Sequence, residues 1–324
     1  MDPITFFTQP RLHIVAGKGG VGRTTLAAAL ALAATELGLD VLVLEIEGRA
    51  ELPALFGRPP LRFDEVVLSP GDPARGRGSV RARSLNAHAA LVEYLSEHGM
   101  RRLARTMIDT GVVEVISRGA PGMKDILILG KVKQLERAGT ADVVLVDAPA
   151  SGHAVTFLRS PRGLLDAVSF FAAFDGMEQG FRERSQRVQA LLGSSTTAFV
   201  LVASPRADTV GEATHFARRL EEQGLTVRAL VVNRMHPPFG GMAAADARSR
   251  AGKAGGPGRP LGALWGNLAD FRAVAEREEE TVAGLAARVA PAPVVRVPLL
   301  DDDVHDLEGL ALVGRHLLGE VPTS

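Results

Sequence analysis

No cysteine occurs among the 324 residues. Its absence excludes disulfides, thiolate zinc sites, thiol-bound metalloids and cysteine nucleophiles together, and it fits a reducing cytoplasm. Net charge is missing as well. Lys plus Arg and Asp plus Glu both number 37, so there is no global electrostatic footprint for nucleic acid, anionic membrane or acidic substrate. Any charged partner must be met locally. The longest apolar run, LAAALALAA over residues 26–34, falls well short of the roughly 20 residues needed to span a bilayer. The first residues, MDPITFFTQPRLHIVAG, carry an early acid, no basic n-region and no small-residue cleavage site, and do not read as a secretory signal. There is no internal repeat. With 46% hydrophobic and 23% charged residues, the expectation is a soluble, cytoplasmic protein with a sizeable core, in one large or two ordinary domains.

Short apolar runs recur between helical patterns: LHIVA (12–16), VLVLEI (41–46), DVVLVD (142–147), TAFVLVAS (197–204), VRALVVN (227–233) and VVRVP (294–298). They are continuous rather than alternating, as in strands covered on both faces by helices. The class expected is α/β, with a doubly wound, mostly parallel sheet. Residues 50–140 show helical periodicity and no convincing strand, and 161–193 form a second helical stretch. Two Gly- and Arg-rich segments, 71–84 and 239–262, read as mobile loops. No aromatics interleave with their arginines, so a solvated loop is favoured over a nucleic-acid patch.

The turn AGKGGVGRTT (16–25) joins the first strand to a helix of good formers. Gly17, Gly19, Gly20 and Gly22, with Val21 between them, can let backbone N–H groups curl around phosphates, and the helix N-terminus adds partial positive charge. Thr24 holds the hydroxyl position for Mg²⁺, and Thr25 can reach an α-phosphate. Arg23 stands where the pattern G-x-x-x-x-G-K-[ST] has lysine. Asp147 ends an apolar strand, where a carboxylate can hold a Mg²⁺-bound water.

GKGGVGRTT resembles the deviant phosphate loop GKGGVGKT[ST] of dimeric ATPases related to nitrogenase iron protein and to septum-site and chromosome-partitioning ATPases. In that superfamily the early lysine crosses the dimer interface to the partner's nucleotide, and Lys18 matches it. DVVLVDAPASGHAVTFLRSP (142–161) resembles the D-T-A-P-T-G-H-T-x-R-x-L segment of the anion-pump ATPase family, which includes the arsenite-efflux ATPase and the guided-entry ATPase that targets tail-anchored membrane proteins. APGMKDILILGKV (120–132) is similar to the family's P-G-x-x-E helix, LVVNR (230–234) to its strand ending in the Asn that hydrogen-bonds adenine, and VPLLDDDVHDLEGL (297–310) to its loop over the base. The resemblance implies a single P-loop NTPase domain over 1–324, with helical subdomain inserts near 50–140 and 161–193 and a flexible loop near 239–262. It implies ATP and Mg²⁺ as cofactors, Asn233 as the adenine reader, and switch behaviour in the loop of Pro149, Gly152 and His153.

Three departures qualify those implications. Arg23 keeps the charge of the central lysine but is larger, planar and geometrically fixed, so binding is expected to survive better than hydrolysis. Where the family reads S-T-D-P-A-H-[NS]-L, this chain reads EIEGRAEL (45–52). Glu47 then stands at the water-orienting aspartate, either in that role or as a structural strand-end acid. Without cysteine the chain has neither the metalloid ligands of the arsenite pump nor a Cys-x-x-Cys dimer clamp. The expected protein is a homodimer, or a heterodimer with a paralogous ATPase, that handles a hydrophobic protein client. No nucleic acid is expected, and membrane contact is at most transient. The alternative is a weakly active or inactive nucleotide-binding subunit paired with a standard paralogue. Residues 161–193 would line a client groove or be ordinary core.

Overall fold

Strands rich in Val, Leu and Ile stack side by side when helices cover both faces, and that is how this chain folds. The computed structural model describes residues 3–46, 50–97, 123–149 and 177–319. In chain order the first elements are α1 (Pro3–Thr8), β1 (Leu12–Gly17), α2 (Arg23–Glu36), β2 (Val41–Ile46), α3 (Glu51–Leu55), β3 (Val66–Ser69), β4 (Val80–Leu85) and α4 (Ala87–Glu97). Next come α5 (Met123–Ala138), β5 (Val143–Asp147), α6 (Met177–Leu192), β6 (Thr197–Ala203), α7 (Ala207–Glu221) and β7 (Val227–Met235). The last are α8 (Ala244–Lys253), α9 (Pro260–Val289), β8 (Val294–Pro298) and α10 (Leu307–Leu318).

The strands form one sheet in the order β3-β4-β2-β5-β1-β6-β7-β8, parallel throughout except that β3 runs antiparallel to β4. This is the α/β, mostly parallel architecture expected. Alternate residues divide the core in two. Ile14, Leu44, Val146 and Leu201 face a layer that includes α5, α6 and α7, while Val15, Val43, Leu145 and Val202 face α2 and α10. α2 is apolar nearly all round, with Leu26 to Thr35 buried, because the sheet lies on one side and α10 on the other. The two helices approach closely through small residues. A Cβ on Gly314 would sit 3.5 Å from both the Ala29 carbonyl and the Ala33 side chain.

Two segments differ from the sequence reading. Residues 50–140 hold β3 and β4, not helix alone. In β4, VRARSL, two arginines mask a strand that extends the sheet beside β2. Arg81 pairs with Glu65 at 2.9 Å, and the buried Arg83 lies 4.2 Å over the Phe63 ring. Placed against these partners, the arginines do not prevent strand formation. The supposed mobile loop 71–84 accordingly ends in strand and begins with a short turn capped by Asp72. Likewise, 239–262 contains α8 and the start of α9. Ala247 of α8 is buried, Glu276 Oε1 accepts from the Ala244 N–H at 2.9 Å, and Arg248 pairs with Asp270 at 2.7 Å. Composition could not show that ordering, because a partner helix supplies it. Of 161–193, only the α6 portion from Met177 falls within the described residues. Among those residues, no helix is long and apolar enough to cross a membrane.

Candidate functional site

The site gathers at the carboxyl ends of β1, β5, β7 and β8, where an open α/β sheet leaves a crevice between its strand-to-helix loops. β1 ends in Gly17, which must be glycine because a Cβ there would collide with the carbonyl of Val202 on β6. The chain then turns through Gly20 and Gly22, whose φ angles of 83° and 88° lie in the left-handed region that L side chains enter only at a cost. At Gly22 the turn becomes α2, and its carbonyl accepts from the Leu26 N–H at 2.9 Å.

The loop is braced from β7. Asn233 Nδ2 donates to the Val21 carbonyl at 2.9 Å, and Arg234 Nη1 donates to the Gly20 carbonyl at 3.3 Å. Arg234 has a φ of 62° at a register shift between β7 and β8, and this turns its side chain back onto the loop. Asn233 also lines a cleft of about 360 Å³ with Gly22, Thr25, Leu26, Val297, Leu300, Asp302 and Val304. Such a volume lies within the range of about 300 to 1,000 Å³ common for small-molecule sites. The 297–310 segment thus borders the cleft beside the loop. Its far end is fixed where Asp306 caps α10 by accepting from the Gly309 N–H at 2.9 Å.

Thr24 and Asp147 meet although 123 residues separate them. Thr24 Oγ1 donates to Asp147 Oδ2 at 2.7 Å. A hydroxyl and a carboxylate are hard oxygen donors, and this pair suits Mg²⁺ completed by phosphate and water. Arg23 turns toward the same acid. Its guanidinium is buried, donates to the Ala148 carbonyl, and places Nη1 3.9 Å from Asp147 Oδ1. Beside them Glu45, 2% exposed, pairs in register with Asp147 on the sheet face covered by α2. Glu45 was not singled out from the sequence, although a carboxylate inside the apolar run VLVLEI is itself a signal.

Lys18 is half-buried and held within the chain. Its Nζ lies 2.8 Å from Glu212 Oε1 and 3.2 Å from Asp208 Oδ2, both on α7. Bonding to Glu212 first, and then to Asp208, raises its pKa above the ordinary lysine value. These partners lie about 190 residues away, and no local motif points to them. Gly19 has open space around it. Glu47, Gly152 and His153 lie outside the described residues.

Residues 11–171 match the family model for anion-transporting ATPases. ATPase BagA of Mycobacterium tuberculosis is 35% identical over 234 residues, covering 70% of this chain and 66% of the relative. ATPase GET3B of Arabidopsis thaliana is 22% identical, covering 73% and 67% respectively. A putative arsenical pump-driving ATPase of Aquifex aeolicus is 23% identical over 96% of this chain and 80% of its own length. The match therefore spans just under two thirds of the mycobacterial relative.

Proposed function

The chain belongs to the anion-transporting ATPase family, and from that membership and the geometry of the site we propose that it binds Mg-ATP as a dimeric ATPase. In this reading Gly17, Gly19, Gly20, Val21, Gly22, Arg23, Thr24 and Thr25 form the phosphate cradle, and Asn233 faces the adenine. Thr24 and Asp147 hold Mg²⁺, whose contribution when bound is to neutralise phosphate charge. The observation that carries the proposal is the cleft itself. It opens from Gly22 and Thr25 at the phosphate loop to Asn233 and the 297–304 loop, the arrangement a nucleoside joined to a phosphate chain requires.

Lys18 supports a homodimer, or a heterodimer with a paralogue. Its half-buried ammonium stands at the loop, and the two acids now holding it can be exchanged for a partner's phosphates. Leu261, Leu264 and Phe271 are exposed on the first turns of α9, with Phe239 packed edge-on against Phe271 at 5.5 Å. Apolar surface of this kind is what assembly covers, and it supports a chain that works with a partner. Nucleotide-driven opening and closing of that dimer would handle a hydrophobic membrane-protein segment or another client in the cytoplasm. Glu47 would place the attacking water.

One observation favours a second reading, a weakly active or inactive subunit paired with a standard paralogue. Arg23 points to Ala148 and Asp147, so it is committed to the protein rather than extended toward a γ-phosphate. ATP turnover, measured with the oligomeric state followed in parallel, separates the two. Steady turnover by the purified chain, lost in Asp147→Ala, supports the ATPase. Turnover that appears only with the paralogue supports the silent subunit. Failure of the chain to bind ATP refutes both.

A further inference from the structure

Arg23 and Thr24 are neighbours at the start of α2, yet both converge on one carboxylate. Thr24 Oγ1 holds Asp147 Oδ2 at 2.7 Å, while Arg23 Nη1 stands 3.9 Å from Asp147 Oδ1 and donates to the adjacent Ala148 carbonyl. A guanidinium in a protein does not lose its proton. Asp147 is therefore accompanied by a permanent positive charge from its own chain. The pairing is enclosed, with the side chains of Arg23 and Asp147 only 6% and 9% exposed, so solvent screens it little.

Two features keep the cation where it is. At the first residue of α2 it faces the positive end of the helix dipole, an unfavourable place unless acids offset it. Asp147 supplies one. Withdrawing Arg23 toward bound phosphate would give up its donation to the Ala148 carbonyl and its ion pair with Asp147, and a buried hydrogen bond and ion pair are costly to break. A divalent cation approaching Thr24 and Asp147 meets a carboxylate whose attraction is already largely spent. It must also sit near a like charge.

We propose that Arg23 is the resident counter-ion of Asp147, so that this chain binds ATP with little dependence on Mg²⁺. This rests on the nucleotide reading above, and the two are separable by one experiment. ATP is titrated calorimetrically onto the full chain, once with excess Mg²⁺ and once with a chelator, for wild type and Arg23→Lys. A lysine ammonium is a compact charge on a flexible stem and lacks the guanidinium whose Nη1 donates to the Ala148 carbonyl and so stays 3.9 Å from Asp147 Oδ1. Wild-type affinity is expected to change by less than about fivefold between the two conditions, and Arg23→Lys to gain about tenfold or more with Mg²⁺, the scale of one charge-assisted contact restored. A larger wild-type gain, equal to that of the variant, would show that Arg23 leaves Asp147 when nucleotide binds, and it overturns the proposal. Equal insensitivity in both proteins also overturns it, because the cause is then not the arginine. If Arg23→Lys does not fold, Arg23→Gln, which removes the guanidinium charge, takes its place with the same expected gain and the same overturning outcomes. Absence of binding in either condition refutes the nucleotide reading, and this proposal with it.

Discussion

The phosphate loop contains its own graded test, because three of its glycines are constrained to different degrees. Gly19 has no positive φ and open space around it, Gly20 has a φ of 83° with open space, and Gly22 has a φ of 88° with a further conflict. A Cβ on Gly22 would lie 2.5 Å from Asn233 Nδ2, the atom that donates to the Val21 carbonyl. Gly19→Ala is therefore expected to leave stability nearly unchanged. Gly20→Ala should lose about 1 to 2 kcal/mol, the cost of a left-handed L residue. Gly22→Ala should lose that and about 1 kcal/mol more for the displaced hydrogen bond, about 2 to 3 kcal/mol in all. Urea unfolding of the three variants without nucleotide measures the series. In a double-mutant cycle, Asn233→Ala should relieve part of the Gly22→Ala loss, since the two residues touch. If Gly22→Ala is no worse than Gly20→Ala, the loop does not rest against β7 in solution and the bracing argument is wrong.

Two further outcomes follow from other parts of the molecule. His13 is fully buried, with Nε2 2.9 Å from the Phe6 carbonyl, and burial lowers its pKa from 6.5 to about 4. The unfolded chain then binds the extra proton, so stability is intact above pH 6.5 and falls as pH drops toward 4, by about 2 kcal/mol at pH 5. His13→Gln should flatten that acid slope in urea titrations across pH, and an unchanged slope would exclude His13 as its source. At the loop, Asp208→Asn combined with Glu212→Gln releases Lys18 from its partners within the chain. Because exposed pairs are individually weak, the double variant should keep its stability yet strengthen ATP-dependent dimerisation by about threefold or more in sedimentation. Unchanged or weaker dimerisation contradicts a role for Lys18 across an interface.

The central strands were legible in the sequence because their environment is uniform. LHIVA, VLVLEI and VVLVD are buried on both faces, so burial alone sets their composition. The edge strand β3 and its neighbour β4 were not legible. Val66 and Val67 are exposed, and the arginines of β4 find partners only once the sheet and Phe63 are assembled. The same reason hides α8, whose order comes from Glu276 and Asp270 on α9. At the site, the local pattern named Gly17 to Thr25 and Asp147, and the structure brings Thr24 and Asp147 together. What it could not give was direction. That Arg23 turns back to Ala148, that Lys18 reaches α7, and that Arg234 braces Gly20 are tertiary facts carried by residues distant in the chain.

The central claim is that adenine nucleotide occupies the cleft between the phosphate loop and the loop after β8. Amide hydrogen exchange of the whole chain with and without ATP tests it most directly, since bound ligand slows exchange where it orders backbone. Protection concentrated in residues 17–25 and 297–304, with a smaller effect at 233–235, is the predicted result. Protection confined to other segments, or none at saturating ATP, would contradict the account.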